Sequence, residues 1–130
     1  MPYDLRIEED LLELRFHGTI ESEDLQKSFD EVEEIEAVRE ITPDRFSDLS
    51  ASDTARWSFF VIEELARRRR AAQLKNKVKS AIYAPTDLQF GYSRMFQMLN
   101  DNPQIEVAVF RDLADAETWL GINTKRTEKT

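Results

Sequence analysis

The sequence predicts an α/β fold built on a single mixed sheet of four to five strands, with helices packed mainly on one face, in the order ββαβαβαβα. Three observations predict it. Two short runs near the start alternate apolar and charged residues with period two; two later stretches carry apolar residues at helical spacing; and residues 80–121 hold two successive strand-then-helix units. At 130 residues and 41% hydrophobic content the chain suits one core. A single domain over residues 1–122 is therefore expected, followed by a polar, frayed tail over 123–130.

The elements follow in order. Tyr3, Leu5 and Ile7, then Leu12, Leu14 and Phe16, alternate with charged partners, which reads as an antiparallel hairpin turning at residues 8–10 with one face buried. Ser22 is placed to cap a helix whose face runs through Leu25, Phe29, Val32, Ile35 or Glu36, and Val38, while the opposite face is almost wholly acidic. Pro43 stops that helix, and residues 45–49 form a short third strand ending at Ser50.

Ser52 or Asp53 then caps a second helix, with a buried stripe of Trp57, Phe60, Val61 and Glu64 or Leu65 and an arginine run in its last turns. Residues 78–83 form a mostly apolar fourth strand, of the kind covered on both faces. Thr86 or Asp87 caps a third helix carrying Leu88, Tyr92, Met95, Phe96 and Leu99. A fifth strand at 105–110 and a last helix, capped by Asp112 and stopped by Gly121, complete the chain. The right-handed crossover rule makes the strands after the hairpin parallel.

Composition narrows the function. There are no cysteines, which removes disulfides, thiolate nucleophiles and cysteine zinc sites. Charged residues interrupt the start, so no signal peptide is read there, and no apolar run spans a bilayer; a cytoplasmic setting without an integral membrane segment is the expectation. The net charge of −8 disfavours nucleic acid as a partner. The charge is uneven: residues 1–50 hold 16 acids against 5 bases, the remainder 10 against 13. A basic patch of Arg67, Arg68, Arg69, Arg70, Lys75 and Lys77 is expected, read either as a solvated helix end or as a surface for anionic lipid, nucleic acid or the acidic face, Glu31, Glu33, Glu34 and Glu40, of a second copy.

With this element order, residues 47–50 after the third strand and 84–97 after the fourth, together with the Phe110, Arg111, Asp112 turn followed by Ala116, Trp119 and Leu120, the chain resembles the STAS-like domain family. More narrowly it is similar to small stand-alone bacterial proteins related to anti-sigma-factor antagonists and grouped with CRAL-TRIO lipid-binding domains. The resemblance implies a role in binding a partner protein or a small ligand; with the residues read above, the expectation is a non-enzymatic regulatory or binding module acting on a partner protein, most simply as a homodimer, or alternatively a carrier or sensor of a small apolar or amphipathic ligand, with no cofactor. In the antagonists a serine at a helix N-terminus after the third strand is phosphorylated. The matching segment here offers Ser50, Ser52, Asp53 and Thr54, where a phosphate would add about −1.5 to −2 charge beside a helix dipole. The family's Asp-Ser-Ser-Gly pattern is replaced, and these hydroxyls also suit plain cap and turn roles.

Phe90, Gly91, Tyr92, Arg94 and Phe96 are the ligand-binding candidates: an aromatic wall with Arg94 presented to an anion, and Gly91 allowing close backbone approach. Tyr92, Met95 and Phe96 equally read as a core stripe. No catalytic residue and no metal ligand is read: His17 is the only histidine, and neither a nucleophile motif nor a glycine-rich phosphate loop is present.

Overall fold

The computed structural model describes residues 2–54 and 56–122; the tail expected over 123–130 lies outside the described residues. Strand β1 (Tyr3–Glu8) pairs antiparallel with β2 (Leu11–Thr19), Tyr3 opposite Phe16 and Glu8 opposite Leu11. The two residues between them make the turn, with Glu9 in the left-handed region at φ 55°. Helix α1 (Ser22–Val38) follows, then β3 (Asp44–Asp53), α2 (Phe59–Ala71), β4 (Val78–Tyr83), α3 (Asp87–Leu99), β5 (Ile105–Phe110) and α4 (Leu113–Leu120).

The five strands lie in the sheet in chain order, β1-β2-β3-β4-β5, and every pair after the hairpin is parallel. Each parallel crossover therefore steps one strand in the same direction, and a common crossover hand puts α1, α2 and α3 on one face. That face holds the main core: Leu12, Leu14 and Phe16 of β2 with Leu25, Phe29 and Val32 of α1, Ile62 and Leu65 of α2, and Phe96 of α3. Helix α4 closes the opposite face, where Ala116 packs on Phe46 and Ala81 with Trp119 and Phe110 around them. The period-two phase of β3 feeds both layers, Phe46 toward α4 and Leu49 toward the main core.

Helix starts follow local chemistry. The Thr86 hydroxyl accepts from Gln89 N while the Gln89 side chain accepts from Thr86 N, a reciprocal capping box for α3. Asp112 accepts from Ala114 N at the start of α4, and Gly121, at φ 71°, ends it in the left-handed conformation. For α1 the capping residue is Glu21, one before the expected Ser22, its N–H donating to Asp24. Val38, expected on the core face of α1, is exposed.

The stretch between β3 and α2 departs most from expectation. Strand β3 runs on through Asp53, and α2 begins at Phe59, so neither Ser52 nor Asp53 caps it; Ser58 does, accepting from Val61 N at 3.3 Å. The strand persists because β2 persists beside it: past an irregularity between Arg15 and His17 the ladder resumes with His17 opposite Ala51, Gly18 opposite Ser52 and Thr19 opposite Asp53. With the start displaced, the phase of α2 changes. Its buried stripe is Ile62, Leu65, Ala66 and Arg69, and Phe60 faces solvent.

Candidate functional site

Two neighbouring features lie where the three helices meet the sheet. The first is the rim at the carboxyl ends of the parallel strands, the end at which open α/β sheets usually place their binding crevices. Here β2 and β3 project as a ribbon, since β3 pairs with β4 only as far as Asp48 opposite Tyr83. Gln89, buried at the first turn of α3, donates to Leu49 O at 2.7 Å and Ser52 O at 3.0 Å and ties the ribbon to that helix. Beyond the ribbon, Trp57 is buried, its carbonyl accepting from the Tyr92 hydroxyl at 2.6 Å, whereas Phe59 and Phe60 emerge 49% and 77% exposed. The two phenyl rings meet edge to face at 6.0 Å. Leu88, in the first turn of α3, is exposed as well.

Ser50, Ser52, Asp53 and Thr54 all belong to this rim, but not as a helix start. The Ser50 hydroxyl donates to Asp48 at 2.7 Å, the Ser52 hydroxyl donates to Leu49 O at 2.6 Å, and Thr54 is buried. A phosphate on Ser50 would sit beside the Asp48 carboxylate in a strand, without the helix dipole that favours one at an N-terminus.

The second feature is a cavity of about 60 Å³ between the sheet and α1, α2 and α3. Of the ligand-binding candidates, Tyr92 and Phe96 line it, joined by Ser93 one residue on. Arg94 and Gly91 are exposed, and Phe90 lies outside the wall with the Arg111 guanidinium 5.2 Å from its ring. A Cβ on Gly91 would meet nothing within 4 Å, so no close backbone approach explains that glycine. The cation that does line the cavity is Arg45, on β3.

Arg45 is 6% exposed, with its Cζ 5.2 Å from the centre of the Phe29 ring. Burial, reinforced by the neighbouring Arg69, pushes its guanidinium down to about 9, so it is still charged at neutral pH. The signal for this residue was present in the sequence. Arg45, Ser47 and Leu49 share one phase of the strand, so a core-facing Leu49 puts an arginine on the core face.

The residues of the expected basic patch are dispersed among separate partners. Arg67 pairs with Glu64 on its own helix, Arg68 is held by Asp30 and Glu33, and Arg69 is buried in a two-pronged contact with Glu36. The Arg70 guanidinium donates to Leu99 O, Lys75 donates to Ala37 O and Arg39 O at the end of α1, and Lys77 is exposed. Of the acidic face of α1, Glu33 is met within the chain by Arg68 and Glu31 by the Tyr3 hydroxyl. Desolvation and the Glu31 carboxylate push the Tyr3 hydroxyl above its ordinary range.

Among the described residues no group of three or more histidines or carboxylates could hold a metal ion, and no helix is long and apolar enough to cross a membrane. His17 lies at the exposed end of β2, its Nε2 3.4 Å from Asp4.

The chain superposes with a TM-score of 0.56, at 20% identity and over 91% of each chain, on the crystal structure of an uncharacterized protein of the DUF3478 family from Shewanella loihica PV-4, described as having a SpoIIAA-like fold. The fold is SpoIIAA-like. This agrees with the STAS-like order of elements read from the sequence, including the mixed five-stranded sheet. No protein-family model and no curated protein matches the chain.

Proposed function

We propose that this protein is a STAS-type regulatory module, non-enzymatic, that works by docking another protein chain at the carboxyl-end rim of its parallel strands. The observation that carries the reading is the Phe59–Phe60 pair: two adjacent phenylalanines, 49% and 77% exposed, at the first turn of α2 beside the projecting β2–β3 ribbon. Large apolar side chains grouped at a rim are characteristic of contact surfaces, and aromatic residues supply most of the energy at such contacts. A second copy of this chain is one such partner.

The test places a photoreactive benzoylphenylalanine at position 60 and, as the comparison, at Lys77, at the opposite end of the sheet. Irradiation in the native host should give an adduct with one defined protein, or with a second copy, from position 60 and not from position 77. Replacing both phenylalanines, Phe59→Ser with Phe60→Ser, should leave the circular dichroism unchanged and weaken the purified complex by about 10-fold or more. Equal adducts from both positions, or a complex unaffected by the double variant, would overturn the proposal.

A further inference from the structure

The cavity beneath the helices has the chemistry of an anion receptor. Its wall is apolar apart from Arg45, Ser47, Ser93 and the polar tips of Trp57 and Tyr92, and among the described residues no carboxylate lines it. Arg45 Nε and Nη1 are fully buried and have no hydrogen-bond partner among the described residues, and the indole N–H of Trp57 is in the same condition. The acids whose charge reaches Arg45 are already engaged: Glu33 with Arg68, and Glu36 through both oxygens with Arg69. A cation is therefore held in an apolar enclosure with its nearest counter-charges spoken for. A buried charge left so costs several kcal/mol unless something neutralises it.

We propose that the cavity binds a small organic carboxylate, whose charge is met by Arg45 and whose carbon body lies against the apolar wall of Phe29, Ile82 and Phe96. A guanidinium is the natural partner of that group, through charge-assisted hydrogen bonds from its donors. On the scale where about 10–15 Å³ admits one water molecule, a volume of about 60 Å³ admits a short-chain carboxylate of about four or five heavy atoms. Phe59 and Phe60 are not part of this wall, so the variants that test the docking rim leave the lining of the cavity unchanged.

The experiment reads the emission of Trp57, in the wall, in a Trp119→Phe background; Trp119 belongs to the separate cluster under α4. Sodium propionate is titrated against sodium chloride at equal ionic strength, with propionamide as the uncharged isostere and hexanoate as the longer chain. Propionate should give a saturable change, with propionamide and hexanoate each weaker by about 10-fold or more. Arg45→Met should abolish the response, and Arg45→Lys, which loses the planar fork and holds its charge less firmly when buried, should weaken it by about 10-fold or more. Should Arg45→Met fail to fold, the lysine variant and the amide comparison decide. A response to propionate no larger than that to chloride or to propionamide, or one unchanged in the Arg45 variants, would overturn the proposal.

Discussion

Arg69 on α2 and Glu36 on α1 meet fork to fork, Nη1 to Oε1 and Nη2 to Oε2 both at 2.9 Å, with the arginine side chain 2% and the carboxylate 12% exposed. Three successive arginines of α2 thereby find three different environments: Arg67 an exposed neighbour on its own helix, Arg68 a pair of acids on α1 of which Asp30 is exposed, and Arg69 a buried fork.

Removing one partner of the buried fork leaves a desolvated charge behind. Arg69→Met should destabilise the fold by about 3–5 kcal/mol, and the double change Arg69→Met with Glu36→Leu should recover most of the loss. Arg67→Ala, at the exposed pair, should stay within about 0.5 kcal/mol. Urea denaturation of the four proteins, wild type included, checks the ordering; equal effects at 67 and 69 would contradict it.

Arg45 is predicted to oppose stability in the ligand-free protein. Arg45→Met should raise the free energy of unfolding by about 1–3 kcal/mol at neutral pH. The pH dependence has a definite sign. The folded-state value, about 9, lies below the ordinary arginine value that applies when unfolded, so the charged form penalises the fold fully below pH 9. The penalty fades as pH rises above 9, because the folded state can shed the proton. The stability gap between Arg45→Met and wild type should therefore be constant from pH 6 to about 9 and narrow above it. The charged groups around Arg45, namely Arg69, Glu33 and Glu36, are common to both proteins and cancel in the difference. A gap that widens with pH would refute this account.

Gly91 occupies an exposed helix position where a methyl group meets open space. Gly91→Ala should stabilise the protein by about 0.5–1 kcal/mol through helix propensity alone. A loss of stability in thermal melts would point to a role for the bare backbone there.

Glu9 holds a left-handed backbone, φ 55°, between two other acids in the hairpin turn. Glu9→Gly should remove that strain and one like charge, for a gain of about 0.5–1 kcal/mol. A matching rise in denaturation midpoint, with an unchanged dependence on denaturant, is the expected observation.

Much of the fold was legible in the sequence because its signals are local. The apolar runs of β4 and β5, the Thr86–Gln89 box, and the Asp112 cap with its Gly121 stop all announce themselves within a few residues. The start of α2 was not legible, because Ser52, Asp53 and Ser58 are all good caps locally, and the choice among them is made by the β2 ladder across the sheet. The arginine run misled for the same reason: which of four consecutive side chains lies inward depends on helix phase, and that phase followed the displaced start. The site residues divide likewise. Tyr92 and Phe96 follow from helical spacing, whereas Arg45 becomes visible only once the strand's inward phase is applied to a charged residue.

Because each strand hydrogen-bonds to the one preceding it in the chain, the sheet grows by addition at one edge, with no later strand needing to slip between two earlier ones. Loop closures stay short and entropically cheap, and the hairpin can serve as the template on which each βα unit condenses in turn. Such a molecule is suited to acquiring its structure progressively during synthesis, with β5 covering the free edge of β4 and its trailing helix covering the back of the sheet as they emerge from the ribosome.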